Sequence, residues 1–265
     1  MLKDCKWSED RSYESNSSNE PIEFYLNGLL NSKSYDLLLG YFSSSAINLL
    51  SQGFAAFISN GGNMRLVINH ILSEKDKIAL ERGENKKYDS PFDLTDLSSL
   101  SSTLNDYDQH FFECLSYLIS KKRIQIKVIR PKGSNGIAHY KKGVFSDGTE
   151  SVGYEGSCNF TSYGLIQNLE SFMTFLSWEN DISGKFIKKT TKKINNFFDE
   201  TDKSVDYLSS NEIETAIQER FKTGKKIEDL IVQEEELIRK KIDINQKISD
   251  KVDKKTFIVN VSKNQ

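Results

Sequence analysis

The sequence predicts an α/β fold, a mixed, largely parallel sheet flanked by helices and followed by a helical C-terminal extension. Two apolar runs of strand length, Tyr35 to Phe42 and Met64 to Ile71, bracket a stretch of helical spacing from Ala46 to Ile58, which together make a βαβ unit. Strands that are apolar almost throughout are buried on both faces, so helices are expected on both sides of the sheet. Size agrees: 265 residues, 37% hydrophobic and 11% aromatic, suffice for a substantial core and exclude disorder as the whole story.

Residues 1–20 read as a polar arm ending in SNSSNEP. A domain is expected over 21–200. It opens with a short helix, Ile22 to Asn31, with Pro21 suited to its first turn. Asn60 to Asn63 (NGGN) is a turn between helix and strand, and Ser73 to Leu118 is helical around a polar loop. Ile124 to Ile129 alternates apolar and polar residues at period two, and Pro131 to Gly136 forms a loop. Ile137 to Phe145, Val152 to Tyr154 and Asn168 to Trp178 are further strands, the first two joined by an Asp147-Gly148 turn. Asp181 to Phe198 is an amphipathic helix. Its Lys185, Lys188, Lys189, Lys192 and Lys193 share one face, which reads as a solvated surface. Residues 201–265 form a helical extension or a linker to a further domain; Leu230, Leu237 and Ile244 recur at seven-residue steps.

The formal net charge is −2, from 36 Lys and Arg against 38 Asp and Glu. The charge is uneven: Lys121 to Asp147 holds eight bases and one acid, +7, whereas the rest of the chain is acidic. Three cysteines without C-x-x-C spacing argue against a disulfide framework or a zinc site, and no metal or other cofactor is expected. No apolar run approaches the ~20 residues of a membrane helix, and MLKDCKWSED lacks the character of a secretion signal. A cytoplasmic protein without a membrane partner is the expectation.

The chemistry concentrates between Ile137 and Phe172. On a strand, His139 and Lys141 project from one face. An ammonium beside an imidazole repels a metal cation but suits a phosphate: the imidazole attacks phosphorus while the ammonium neutralises the non-bridging oxygens. Ser157 and Asn159 offer a hydroxyl and an amide to the same oxygens, and Glu170 can accept from His139 Nδ1 and fix its tautomer. Arg130, Lys132 and Lys142 are candidate phosphate contacts. His70 and His110 lack such company and read as structural, Cys158 as packing, and Tyr41 and Phe42 as core.

The pattern His139-Tyr140-Lys141, Gly156-Ser157-Cys158-Asn159-Phe160, Asn168-Leu169-Glu170 resembles the active-site motif of the phospholipase D superfamily. The variant is that of metal-independent restriction endonucleases and helicase-associated nuclease domains. Steps of 20 residues from His139 to Asn159 and 11 from Asn159 to Glu170 match that branch, as do the opening strands with Gly40-Tyr41-Phe42-Ser43. The likeness covers roughly residues 20 to 200. Phospholipases of the superfamily place an aspartate five residues after the lysine; here that position is Ser146. Asp147, one step late, reads as a turn residue, which leaves Glu170 as the orienting acid.

Superfamily catalysis uses two His-Lys sets, and this chain holds one. The resemblance therefore implies a homodimer with both copies of His139 in one site, a phosphohistidine intermediate and a DNA substrate. It also implies a phage-defence or restriction setting with a helicase or other defence partner. Two other readings compete: a non-catalytic DNA-binding and dimerisation module, and a lipid hydrolase, which would want an apolar membrane-facing surface.

Overall fold

The computed structural model describes residues 1–14, 17–40, 53–69, 106–133, 140–156, 171–222 and 224–240. Among the described residues eight strands form one sheet: β1 (Ser12–Glu14), β2 (Ser34–Leu39), β3 (Asn63–Asn69), β4 (Ile124–Pro131), β5 (Lys141–Ser146), β6 (Ser151–Gly156), β7 (Ser171–Leu176) and β8 (Val205–Leu208). Their order is β1-β7-β6-β5-β2-β3-β4-β8. The described helices are α1 (Pro21–Asn31), α2 (Phe54–Ser59), α3 (Asp106–Ser120), α4 (Asp181–Phe198), α5 (Asn211–Phe221) and α6 (227–240).

The sheet is mixed, as expected, but less parallel. Only β2–β3 and β3–β4 pair in parallel; the other five pairings are antiparallel. The cause is local. Asp147-Gly148 closes a tight β5–β6 hairpin, with Gly148 at φ 96° and the Asp147 carboxylate accepting from the Thr149 and Glu150 amides at 2.9 and 2.8 Å. The four-residue connection from Asp147 to Glu150 can only join antiparallel strands, and β7 and β1 continue the pattern outward.

Side chains alternate between two layers. On one face Tyr35, Leu37, Leu39, Leu66, Ile68, Val128, Phe145 and Tyr154 join the large core with α1, α2, α3, α5 and α6. Aromatic edges fill it: Phe24 contacts the rings of Tyr25, Phe145, Tyr154 and Phe172 at centroid distances of 5.0–5.8 Å, and the Tyr35 and Tyr154 hydroxyls lie 2.6 Å apart. On the other face Leu38, Val67 and Ile129 meet Ile194 and Phe197 of α4. α4 begins at Asn180, whose side chain accepts from the Ser183 amide, and buries Ile187, Thr190, Ile194 and Phe197 at three- and four-residue steps. Burying each large apolar side chain contributes about 1.5–3 kcal/mol. Arg65 of β3 ties this helix down, with Nε donating to Asp36 Oδ1 and Nη1 to Asn195 Oδ1, both at 2.8 Å.

The boundaries expected at residues 20 and 200 do not follow the packing. The N-terminal arm supplies edge strand β1 and buries Leu2, Trp7 and Tyr13. Past residue 200, β8 pairs with β4, and Ile213, Ile217, Phe221 and Leu230 enter the main core. β8 is four residues long, with only Val205 buried, too short for period-two alternation to show. Leu230 and Leu237 are both buried, Leu230 within the main core. Among the described residues no helix is long and apolar enough to cross a membrane.

Candidate active site

Three consecutive strands of the sheet, β7, β6 and β5, begin or end at one edge beside motif positions of the sequence. β5 starts there with Lys141, β6 ends there with Gly156, and β7 starts there with Ser171. The carboxyl ends of β2, β3 and β4 share this edge, because β2 runs antiparallel to β5 and parallel to β3. The Gly40 amide donates to the Tyr140 carbonyl at 2.8 Å, and the Asn69 amide donates to the Gly40 carbonyl at 3.3 Å, joining the approach to β5 to the ends of β2 and β3. His139, Ser157, Asn159 and Glu170 lie outside the described residues, as do His70, Cys158, Tyr41 and Phe42.

Lys141 is half-buried and pairs with Leu39, which puts it on the main-core face of β5. Lys142 pairs with Leu38 and points to the α4 face. There its Nζ meets Glu155 Oε1 at 2.8 Å and lies 5.8 Å from the centroid of the Tyr140 ring. Tyr140 also takes the Lys193 ammonium at 5.9 Å and packs 6.1 Å from Phe197. Partial burial works against the Lys193 charge, but Asp202, at 2.5 Å, and Tyr140 outweigh it and hold its pKa above the ordinary value. Sequence reasoning missed the part of Tyr140; its position between His139 and Lys141 was the available signal.

Gly156 has a physical reason to be glycine. A Cβ on it would lie 2.6 Å from both the Ser171 carbonyl oxygen and Phe172 Cα, so β6 and β7 approach here as only a bare Cα allows. This contact sets the spacing of the two strand ends that lead into Ser157 and out of Glu170.

The +7 segment does not gather at the site. Lys121 and Lys122 lie at the opposite edge, before β4 begins, and Arg123 there donates to the Gly62 and Ile58 carbonyls. Lys127 pairs with Glu200 at 2.7 Å and Arg130 with Asp206 at 3.3 Å. Arg130 and Lys132 belong to the β4 end, three strand positions or about 14 Å from β5. Consecutive bases on a strand spread over its length and both its faces, which linear charge counting cannot register.

Asp147 occupies the far end of β5, about 20 Å from Lys141. Besides closing the hairpin, it accepts from the Leu2 amide at 2.9 Å, so its role is structural. The same holds for His110. It is fully buried, with Nε2 3.4 Å from Glu234 Oε2 and 3.6 Å from Cys114 Sγ. Burial, reinforced by Glu234 and Glu113, pushes the Cys114 thiol well above its ordinary pKa, so this Cys-His-Glu group is not an activated nucleophile. Glu234 instead accepts from the Ala55 amide at 2.7 Å, capping α2 from α6.

No family model matches the chain, and no curated protein matches it. In structure it is similar to NucT from Helicobacter pylori, at 11% identity over 71% of this chain and 90% of that one, with a TM-score of 0.40. It is likewise similar to Nuc from Salmonella typhimurium, a phospholipase D family member, at 12% identity over 75% of this chain and 97% of that one, with a TM-score of 0.41.

Proposed function

We propose that the chain is a metal-independent phosphodiesterase that cleaves DNA through a phosphohistidine, at a site shared by two protomers. The observation that carries this reading is the common edge of β5, β6 and β7, where the start of one strand, the end of the next and the start of the third are neighbours. His139 precedes Lys141 by two residues, Ser157 follows Gly156, and Glu170 precedes Ser171. Each peptide step spans about 3.8 Å and neighbouring strands lie about 4.8 Å apart, so these side chains can reach one phosphate.

In the proposed reaction, Nε2 of one His139 attacks phosphorus and the bond to the leaving oxygen breaks, while the second His139 gives that oxygen its proton. The second imidazole then takes a proton from water, the resulting hydroxide attacks phosphorus, and the phosphorus–nitrogen bond breaks to restore the first. The two roles need opposite protonation states near neutral pH, which an imidazole of ordinary pKa ~6.5 can supply. Lys141, Ser157 and Asn159 stabilise the charge on the phosphorane, and Glu170 holds the tautomer. The restriction or defence setting and a helicase partner rest on the motif's resemblance alone.

Plasmid DNA incubated with the full chain in excess EDTA tests the reading. Cleavage by the wild type and none by His139→Ala is expected; absence of EDTA-resistant cleavage by a dimeric preparation overturns it. A monomer at micromolar concentration by light scattering removes the shared site.

A further inference from the structure

We propose that the outer face of α4 is the track on which the phosphate backbone of the nucleic acid lies. The inference deepens the reading above and rests on it for the nature of the ligand. Lys185, Lys188, Lys189 and Lys192 are all exposed and fall within an arc of about 100°, opposite the buried stripe of Ile187, Thr190, Ile194 and Phe197. They span about 10 Å along the axis. Among the described residues none of the four has an ion pair, whereas Lys127, Arg130, Lys142 and Lys193 are each matched to a carboxylate. Among the described residues these four form a run of unpaired bases on one helix face, whereas the exposed bases of the +7 segment without an ion pair, Lys121, Lys122 and Lys132, are divided between the two ends of β4.

α5 carries both signs, with Glu212, Glu214 and Glu219 against Arg220. α4 instead sets lysines beside lysines at steps of three and four: 185 with 188 and 189, 192 with 188 and 189. Its only acid is Asp181 in the first turn. Like charges at that spacing destabilise a helix. The face thus concentrates positive charge without a neighbouring acid, which raises the local concentration of a polyanion.

The helix also leads to the right place. It starts after β7 has crossed to the edge opposite the site and ends before β8, whose Val205 pairs with Pro131 at the site edge. Its last turns bring Lys193 and Phe197 against Tyr140, the neighbour of Lys141. The apolar side of α4 is spent on the sheet, which leaves only Ile182 exposed beside the lysines. That favours a polyanion over a bilayer, which would need an apolar face to insert.

The experiment measures binding to a 30-base-pair duplex as a function of salt, using the full chain with His139→Ala throughout to prevent cleavage. The test variant carries Lys185→Gln, Lys188→Gln, Lys189→Gln and Lys192→Gln. A control removes the same charge elsewhere, at the exposed Lys3, Lys6, Lys33 and Lys121. The slope of log K against log salt should fall by up to about 3.6 in the test variant, each lost contact weakening binding about eight-fold near 0.1 M salt. The control should keep the wild-type slope. Glutamine is as good a helix former as lysine and relieves the repulsion, so the test variant should melt no lower than its parent.

An unchanged slope in the test variant, or an equal loss in the control, overturns the proposal. So does lysine-dependent binding to phosphatidylserine vesicles without binding to DNA. Lysine-dependent DNA binding by a chain that never cleaves would sustain the track and remove the catalytic reading. Cleavage by the four-glutamine variant with His139 restored, together with unchanged salt dependence of binding in the test variant, would do the reverse.

Discussion

Gly156→Ala is the sharpest probe of how the fold holds the site. Ordinary contact begins near 3.4 Å, and the added methyl would sit 2.6 Å from the Ser171 carbonyl oxygen and from Phe172 Cα, both on the backbone of β7. Neither group can rotate aside. The strands must separate by at least about 0.8 Å at the pair Gly156–Phe172, where the β6–β7 ladder meets the site edge, because Phe172 Cβ is nearer still and equally fixed. Overpacking of this kind costs about 1–3 kcal/mol. For a chain of this size that lowers Tm by about 2–12 °C, so the variant remains folded at room temperature. A displacement near 1 Å between groups acting on one phosphate costs about 100-fold in rate. The assay pairs thermal denaturation with EDTA-resistant cleavage at 25 °C. Gly184→Ala serves as the contrast: it lies inside α4 with nothing near its added methyl, and should raise stability by about 0.5–1 kcal/mol with no loss of rate. Wild-type rate and Tm in Gly156→Ala would refute the claim that this approach sets the site's spacing.

Arg65→Lys should cost about 1–3 kcal/mol by urea denaturation, because an ammonium cannot reproduce the fork that joins Asp36 to Asn195 of α4. Glu234→Ala should lower stability by about 1–3 kcal/mol by leaving the Ala55 amide unbonded in a buried place, while Glu234→Gln, which keeps an acceptor, should lose less. Partial burial alone would raise the Asp202 carboxyl, but hydrogen bonds from Lys193 and Ser204 overcome it and hold its pKa at about 2. A depressed carboxyl contributes stability above its unfolded pKa near 4, lost as pH falls through 2. The unfolding free energies of wild type and Asp202→Asn from urea denaturation should differ by about 1 kcal/mol at pH 6 and converge below pH 2.

The parts of the molecule governed by periodicity were legible in the sequence. α4 runs over the predicted Asp181–Phe198, because a 3.6-residue apolar stripe over 18 residues has no competing interpretation. α1, β3 and the Asp147-Gly148 turn follow their local signals in the same way. What escaped depends on which strands become neighbours. The short β1 and β8 carry little pattern of their own and are strands only because β7 and β4 offer free edges. The same holds at the site. Spacing grouped His139, Lys141, Ser157, Asn159 and Glu170, but the pairing of Lys142 with Glu155 and of Arg130 with Asp206 joins residues 13 and 76 positions apart, which no linear reading of charge could anticipate.

The shortness of the two outermost strands bears on how two copies could meet. β1 and β8 offer three and four residues to an incoming strand, too few for a stable lateral ladder, and sheets closed this way resist edge-to-edge growth. A second copy of the chain gains little by extending the sheet sideways. It gains more by approaching end-on, across the rim where β5, β6 and β7 present Lys141, Gly156 and Ser171. In the proposed dimer the two sheets would then face one another across a seam instead of joining into one.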